Sequence, residues 1–241
     1  MSGVQGVPGE GKSPSLDRSG AKRVVVVILQ VAVTGVLLFV CAGRLDWMLG
    51  WVYVGLSILI LVFNAFFLLR RHPEVVNERG RWAKNTKGWD KVWAAVYAPM
   101  PLITVAVAGF DAARFGWSEM PLALSALGIA MFLAGNLLFT WAMISNPYFA
   151  TTVHIQDDRG HQAVTSGPYR YVRHPGYVGA ILLSIGTPIV LGSWWALIPA
   201  GLAAMLFIPR AAMEDRTLQE ELGGYAEYAE RVPYRLLPRV W

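Results

Sequence analysis

Cysteine is almost absent from this sequence of 241 residues, where Cys41 is the single example. A lone cysteine excludes a disulfide framework and a metal site built from cysteines. Charged residues are also scarce, because Asp, Glu, Lys and Arg make up 15% of the chain while hydrophobic residues make up 55%. Since an ordinary soluble domain holds about 25% charged residues, this composition excludes that class and indicates a membrane protein.

Several uncharged segments are long enough to cross a bilayer, which takes about 20 mainly apolar residues in one helix. The sequence predicts an all-α polytopic bundle whose first four spans are 24–43, 47–69, 92–110 and 120–145. The uncharged segment 175–209 is too long for a single span and is interrupted by Gly192 and Ser193. It therefore predicts a helical hairpin, followed by a cytoplasmic C-terminal helix that begins near Pro209.

The distribution of lysine and arginine predicts how the chain is oriented. Both residue types are concentrated in the N-terminal tail, after the second span, before the hairpin and in the C-terminal tail. By the positive-inside rule, this pattern predicts six crossings with both termini cytoplasmic, in an inner or plasma membrane. Residues 1–20 are rich in Gly, Ser and Pro and predict a disordered cytoplasmic tail rather than a signal peptide.

The net charge of +5 has two interpretations, namely nucleic-acid binding or contact with anionic lipid head groups. The positive-inside bias accounts for the excess, so membrane lipids are the predicted partner and nucleic acid is not. Trp82, Trp89 and Trp93 alternate with cations in the connector after the second span, which is typical of a segment at head-group level. His154 and His161 lack the regular spacing of metal ligands, so no metal site is predicted.

The stretch YRYVRHPGYVG, 169–179, carries the strongest candidate site. Because proline disfavours helical geometry at the residue before it, a helix is expected to begin at Pro175. Arg173 and His174 then stand at a helix N-terminus, where free N–H groups and the helix dipole favour an anion. Gly176 leaves room for a bulky group, and Tyr177 adds an aromatic edge. The pattern predicts a site for an anionic, partly aromatic ligand, with contact to lipid phosphate as the plainer alternative.

A second group of polar residues follows the predicted hairpin. Arg210 and Glu214 are four residues apart and share one face of a helix. The two ends of a hairpin return to the same membrane surface, so these residues are expected to lie near Arg173 and His174. Asp215 points about 100° away from Glu214 and is expected at the flank of that face.

These motifs resemble a known family. The sequence resembles the isoprenylcysteine carboxyl methyltransferase family, which is related to phospholipid methyltransferases. The resemblance consists of the motif GPYRYVRHPGYVG, a hairpin-length apolar segment, an acidic pair and the motif RVPYRLLP, in that order. The resemblance covers about 146–241 and implies that this region is a methyltransferase core, after spans within 21–145. It also implies S-adenosylmethionine as cofactor and a lipid-like acceptor that enters from the bilayer. The second acid of the family's pair is Asp215 here, one methylene shorter than glutamate.

The resemblance implies that the R-H-P-x-Y-x-G turn and the acidic pair surround the cofactor. The candidate catalytic residues are Arg210, which would orient a carboxylate acceptor, and Glu214, which would accept a proton from an amine acceptor. A soluble methyltransferase would show a glycine-rich turn between a strand and a helix, which this sequence lacks. The cofactor would instead contact residues at helix ends and loops. The predicted cofactor-binding residues are Tyr169, Arg173, His174, Tyr177, Gly179, Glu214 and Asp215.

Two other functions stay open at this level. The membrane sterol reductases have a similar R-H-P-x-Y turn but bind NADPH, and the acidic pair Glu214–Asp215 argues against them. The fold is also compatible with a protein that binds lipid in the same pocket without catalysis. Oligomeric state is not predicted by any feature of the sequence.

Overall fold

The computed structural model describes residues 15–81 and 85–241. Most of the predicted tail 1–20 lies outside these residues, as does Trp82, although the first helix already begins at Arg18. The described chain is helical and contains no strand, which confirms the all-α prediction. Its α-helices are α1 Arg18–Ala42, α2 Met48–Arg71, α3 Pro73–Arg79, α4 Gly88–Tyr97, α5 Met100–Ala108, α6 Leu122–Ser145, α7 Pro175–Val190, α8 Leu197–Glu221 and α9 Tyr225–Arg231.

Within the described residues, five helical segments are long and apolar enough to cross a membrane. Four are the predicted early spans, α1, α2, the segment from α4 onward and α6, and the fifth is α8; α7 is a shorter apolar helix. Large hydrophobic side chains on α1 and α2 point away from the protein, including Val36 at 66% and Leu59 at 58% exposure. An apolar surface of this kind is stable only against lipid, so the protein is integral to a membrane.

The third span is longer and less regular than predicted. It runs from Gly88 to Phe115 and is divided between α4 and α5 at Pro99. Beyond α5, a π-helical turn covers Gly109–Phe115. This turn places Asp111 where it is wholly buried against the hairpin.

The predicted hairpin is present as α7 and α8. Gly192 has a φ of 72°, a left-handed conformation that glycine adopts without strain. Ser193 is buried and donates a hydrogen bond of 2.5 Å to Asp111 Oδ2, which fixes the tip of the hairpin.

The prediction that a new helix begins near Pro209 is wrong, because α8 continues through Pro209 to Glu221. Proline removes one backbone donor from the helix interior. In α8 that position is exposed, and the helix is not interrupted there. The C-terminal polar face is therefore a rigid extension of the second arm of the hairpin.

The close packing of α6 on α7 depends on a pair of glycines. A Cβ atom at Gly179 would lie 2.7 Å from the carbonyl oxygen of Gly135, and one at Gly135 would lie equally close to the carbonyl oxygen of Gly179. Only glycine permits this approach of two helix backbones. The contact fixes the position of α7 and hence of the residues at its N-terminus.

Candidate functional site

A cavity of about 1250 Å³ lies between the helices and joins an apolar region to a polar one. Side chains of α1 and α2, such as Val27 and Leu61, line the apolar region. The polar region is lined by the N-terminus of α7, the middle of α8 and the segment that follows α6. A cavity of this size and character suits a ligand with a long apolar part and a polar head.

Aromatic stacking organises the N-terminus of α7. Pro175 is the first residue of the helix, as predicted, and His174 precedes it with φ −123° and ψ 60°. The His174 and Tyr177 rings are nearly parallel, with centroids 5.4 Å apart, and the Tyr177 ring also contacts Phe207 of α8. The stack joins the two arms of the hairpin at the cavity wall.

Glu214 lies on the same wall. Its carboxylate accepts a hydrogen bond from the Tyr177 hydroxyl. The side chain is half-buried, and among the described residues that line the cavity it is the only carboxylate. Glu214 can therefore pair with a cationic or hydroxyl group of a ligand.

Arg210 is buried one helical turn before Glu214 and lines the cavity as well. Its Nη2 donates to the Thr151 carbonyl at 3.0 Å and lies 3.1 Å from Asp90 Oδ1. The guanidinium carbon is 3.8 Å from the centroid of the Trp93 ring. Nε is buried without a hydrogen-bond partner among the described residues. An arginine held on three sides with one free donor is suited to orient an anionic oxygen.

Asp215 has a different position from its neighbour. It is 0% exposed, lies outside the cavity lining, and accepts hydrogen bonds from four side chains. Its partners are Arg173, Gln219, Tyr225 and Arg235. The sequence predicted a position at the flank of the helix, whereas the structure places Asp215 at the centre of a buried network. The reason is that the C-terminal segment after α8 folds back over that flank.

Arg173 belongs to this network. Its Nε and Nη2 atoms donate to the two oxygens of Asp215, and Nη1 donates to the carbonyl of Val232 at 2.8 Å. The guanidinium is thus engaged by the protein, although it was expected to offer its charge to a ligand carboxylate. His174 Nε2 lies 3.5 Å from Asp215 Oδ1 and has no hydrogen-bond partner of normal geometry among the described residues. His174 therefore faces the same carboxylate as Arg173, at a longer distance, while it also lines the cavity.

The remaining predicted residues are divided between the cavity and the protein interior. Tyr169 lines the cavity, and its hydroxyl accepts a bond from Asn146 and donates to the Ala142 carbonyl at 3.4 Å. Burial raises the pKa of Tyr169, so the phenol stays neutral. Gly179 contacts α6 rather than the cavity, since its missing side chain is needed for helix packing. The prediction that Gly179 touches the cofactor therefore has no support in its position.

Residues of α4 complete the site, and the sequence did not point to them. Asp90 is 1% exposed, pairs with Arg210 and accepts a hydrogen bond from the Val153 N–H. Trp93 donates to the Leu206 carbonyl and packs on α8, whereas the sequence placed it among lipid head groups. The sequence signal that could have identified Asp90 is its position between two tryptophans in GWDKVW, since a carboxylate in an apolar context needs a partner.

The two histidines between α6 and α7 also differ in role. His161 lines the cavity beside Tyr148, and burial lowers its pKa to about 4, so its ring is neutral. His154 lies outside the cavity lining and faces Glu78, with 3.6 Å between Nε2 and Oε1. This carboxylate raises the pKa of His154.

Comparison with known proteins confirms the resemblance that the motifs predict. Residues 127–220 match the isoprenylcysteine carboxyl methyltransferase (ICMT) family. The chain is 32% identical over 113 residues to protein-S-isoprenylcysteine O-methyltransferase B of Arabidopsis thaliana, covering 46% of this chain and 57% of the relative. It is 36% identical over 113 residues to the Xenopus laevis protein-S-isoprenylcysteine O-methyltransferase, covering 46% and 39%.

The chain thus spans about half the length of the curated relatives that it matches. A solved structure, the eukaryotic intramembrane Ras methyltransferase ICMT, is similar with a TM-score of 0.45 and 20% identity. That similarity covers 86% of this chain and 82% of the other. The family match ends at Glu220, so it includes Arg173, His174, Arg210, Glu214 and Asp215 but none of the residues before 127.

Proposed function

We propose that the protein is an integral-membrane methyltransferase that transfers a methyl group from S-adenosylmethionine to a lipidic acceptor. The observation that carries this proposal is the arrangement of Arg210, Glu214 and the His174–Tyr177 stack where a long apolar cavity meets its polar end. The region that supplies these residues is the one that matches the ICMT family. The acidic pair and the relatives favour this function over an NADPH-dependent reductase.

The polar end of the cavity has complementary groups for S-adenosylmethionine. His174 lines the cavity directly before the first residue of α7, where a helix N-terminus is suited to a carboxylate. Glu214 is suited to an ammonium or to ribose hydroxyls, and Tyr177 and Tyr169 offer faces for an adenine ring. Arg173 and Asp215 hold these residues in place from behind, because their own donors and acceptors are already paired.

When bound, S-adenosylmethionine would supply an electrophilic methyl carbon on a sulfonium, open to in-line attack by an acceptor oxygen. A carboxylate acceptor is already ionised at neutral pH, so the protein needs no general base for it. The residues then act by alignment. Arg210 presents its free Nε–H to the acceptor carboxylate, and Asp90 and Trp93 prevent the guanidinium from moving.

The apolar region of the cavity supports the assignment of a lipidic acceptor. Val27, Leu61 and their neighbours on α1 and α2 would hold a long hydrocarbon chain while its head reaches Arg210. A filled apolar cavity also excludes water, which strengthens the electrostatic contacts at the head. The acceptor named by the relatives, an S-isoprenylcysteine, has this form.

Titration of the purified protein tests the donor assignment. S-adenosylmethionine should bind and NADPH should not. Methyl transfer should be measured with N-acetyl-S-farnesylcysteine, and with phosphatidylethanolamine as an amine acceptor. Binding of NADPH with no binding of S-adenosylmethionine would overturn the proposal, and binding of neither donor would favour the non-catalytic lipid-binding function.

The orientation and the division of the chain belong to the same proposal. Both termini are placed on the cytoplasmic side of an inner or plasma membrane, on the basis of the arginine and lysine distribution. Residues 21–145 anchor the protein and line the acceptor cavity. Residues 146–241 form the methyltransferase core.

A further inference from the structure

The cavity carries more positive charge than its own carboxylate balances. Five lysines and arginines line it among the described residues, against one carboxylate, Glu214. Arg173 is paired with Asp215 and Arg210 with Asp90, while Lys91 is exposed to solvent. Arg23 and Arg79 form no ion pair and no side-chain hydrogen bond with any described residue. Unpaired cations in an apolar setting are costly, so these two positions favour an anion.

Arg79, the last residue of α3, is held between aromatic rings. Its guanidinium carbon lies 5.3 Å from the Phe139 centroid and 5.2 Å from the Phe149 centroid. Burial, together with the positive charges of Arg23 and Arg210, lowers the pKa of Arg79 to about 9. The side chain is therefore fixed in place but lacks a counter-ion.

Arg23 and Arg79 border one hydrophobic cluster. Val24, the next residue of α1 after Arg23, packs against Leu68, Val75 and Val76 of α2 and α3. Phe139 and Phe149, whose rings contact the Arg79 guanidinium, pack against the same cluster. An anion held here would have apolar surface beside it.

Short contacts connect Arg79 to the proposed catalytic residues. The Arg79 carbonyl accepts a hydrogen bond of 3.0 Å from Thr151 Oγ1, and the carbonyl of Thr151 accepts one from Arg210. The Phe149 ring also reaches Gly176, where a Cβ atom would lie 2.9 Å from it. Arg79 is thus connected to Arg210 of α8 through Thr151 and to the N-terminus of α7 through Phe149.

From these observations, we propose that Arg23 and Arg79 form an anion subsite of the cavity, which binds the negatively charged head of a single-chain amphiphile, a carboxylate or a phosphate. Both residues lie before 127, outside the region that matches the ICMT family, so the subsite is not implied by that match. That the bound amphiphile is the methyl acceptor rests on the function proposed above. The subsite itself does not, since it requires neither cofactor nor turnover.

The competing explanation is that the two arginines contact phosphates of the surrounding bilayer, as interfacial arginines commonly do. Both side chains line the cavity, and a bilayer phosphate would be expected to meet them only at its opening. The two explanations differ in one measurable way. Only a subsite inside the cavity distinguishes a charged from a neutral amphiphile of equal length when the bilayer itself carries no net charge.

The experiment measures binding of radiolabelled hexadecanoate to the full-length protein in phosphatidylcholine nanodiscs, without S-adenosylmethionine, with hexadecan-1-ol as the neutral competitor. Hexadecanoate should bind at least about tenfold more tightly than the alcohol. Arg79→Gln and Arg23→Gln should each weaken hexadecanoate binding about tenfold or more, the range for one charged hydrogen bond. Arg79→Lys keeps the charge and should retain most of the affinity.

Arg170→Gln is the matched control, because Arg170 is exposed and does not line the cavity. The Arg170→Gln variant should bind hexadecanoate and hexadecan-1-ol with the affinities of the wild type. A repeat in phosphatidylglycerol nanodiscs tests the other source of anion, and bilayer lipid should compete with hexadecanoate only weakly. Equal hexadecanoate affinities in wild type, Arg79→Gln and Arg23→Gln would overturn the subsite, and so would equal affinities of the wild type for hexadecanoate and hexadecan-1-ol. If the protein binds hexadecanoate but shows no methyl transfer in the assay described under the proposed function, the subsite is supported and the enzyme function is contradicted.

Discussion

Arg173, which lines the polar end of the cavity, forms a two-pronged ion pair with Asp215, which does not line it. Nε lies 2.7 Å from Oδ1 and Nη2 lies 2.8 Å from Oδ2, and the side chains are 4% and 0% exposed. The pair joins the start of α7 to the C-terminal part of α8. The backbone N–H groups of Arg173 and His174 also donate to the carbonyls of Tyr234 and Arg235. The pair therefore holds three segments together at the polar end of the cavity.

Asp215→Asn should destabilise the protein. The substitution leaves Arg173 buried without its counter-ion and weakens the contacts to Arg235 and Tyr225. Breaking a buried ion pair on one side costs about 3 to 5 kcal/mol. The unfolding temperature in detergent should fall by several degrees, and Arg173→Ala should act in the same direction.

Arg216→Gln is the control for this comparison, since Arg216 is the next residue and its side chain is 80% exposed beside Glu220. It should leave the unfolding temperature unchanged. An Asp215→Asn protein as stable as Arg216→Gln would show that the buried network does not hold the fold together.

The sequence predicted the bundle, the hairpin and the meeting of its two ends, because long apolar segments and their charged boundaries are strong local signals. It predicted the relation between Arg210 and Glu214 from helical spacing alone. Burial of Asp215 was not predictable, because it depends on the C-terminal segment that folds over α8. A helical projection places Asp215 on the flank but does not show what covers the flank.

Long-range pairing was the other missing information. The partner of Arg210 is Asp90, 120 positions earlier in the chain. Arg23 and Arg79 similarly become neighbours through the packing of α1 on α3. In each case the sequence shows single charges near apolar runs, and only the arrangement of the helices shows which of them remain unpaired.

The His154–Glu78 pair should make stability depend on pH. Glu78 raises the pKa of His154 above its ordinary 6.5, so the contribution of His154 is present below about 6.5 and is lost as pH rises through the folded-state pKa. His154, with Arg159 and Arg81, lowers the pKa of Glu78 below 4.5, so the contribution of Glu78 is lost only in more acidic solution. The unfolding temperature should therefore be highest between about pH 5 and 6.5.

The measurement is the unfolding temperature of wild type minus that of His154→Gln, taken from pH 5 to pH 9. This difference should shrink as the pH increases above 6.5. A difference that is independent of pH would mean that His154 stays neutral throughout.

Asp111 should anchor the tip of the hairpin. Its Oδ2 accepts hydrogen bonds from Ser193 Oγ and Ser118 Oγ, at 2.5 and 2.6 Å, and the residue is 0% exposed. Asp111→Ala would leave both hydroxyl protons without their acceptor, a cost of about 1 to 3 kcal/mol for the buried Ser193 hydroxyl. Limited proteolysis should then cleave the 191–196 turn faster than in wild type, while Glu119→Ala, at an exposed position, should not change the rate.

The proposed orientation can be tested with single cysteines in a Cys41→Ala background. Asp158 and Gly223 are exposed on the side assigned to the cytoplasm, and Glu119 is exposed in the connector before α6. A membrane-impermeant maleimide should label Glu119→Cys in intact cells, and should label Asp158→Cys and Gly223→Cys only after the membrane is opened. Labelling of Gly223→Cys together with Glu119→Cys in intact cells would contradict the hairpin topology.

Glu214→Gln should remove function while leaving the fold unchanged, the opposite of Asp215→Asn. Glu214 is half-buried, lines the cavity and accepts a hydrogen bond from the Tyr177 hydroxyl. The side-chain oxygen of a glutamine can still accept this hydrogen bond. The substitution therefore removes a charge with little change in packing. A ligand ammonium or hydroxyl would lose a charged partner worth about 1.5 to 3 kcal/mol, so S-adenosylmethionine should bind about tenfold to a hundredfold more weakly.

Isothermal titration and the unfolding temperature, measured on the same Glu214→Gln preparation, separate these two effects. Glu220→Gln is the matched control, because it makes the same chemical change on an exposed face of α8. If Glu214→Gln bound S-adenosylmethionine like wild type while Asp215→Asn lost binding without unfolding, the ligand would have to reach Asp215. The Arg173–Asp215 pair would then open during binding, and the functional face of α8 would pass through Asp215 instead of Glu214.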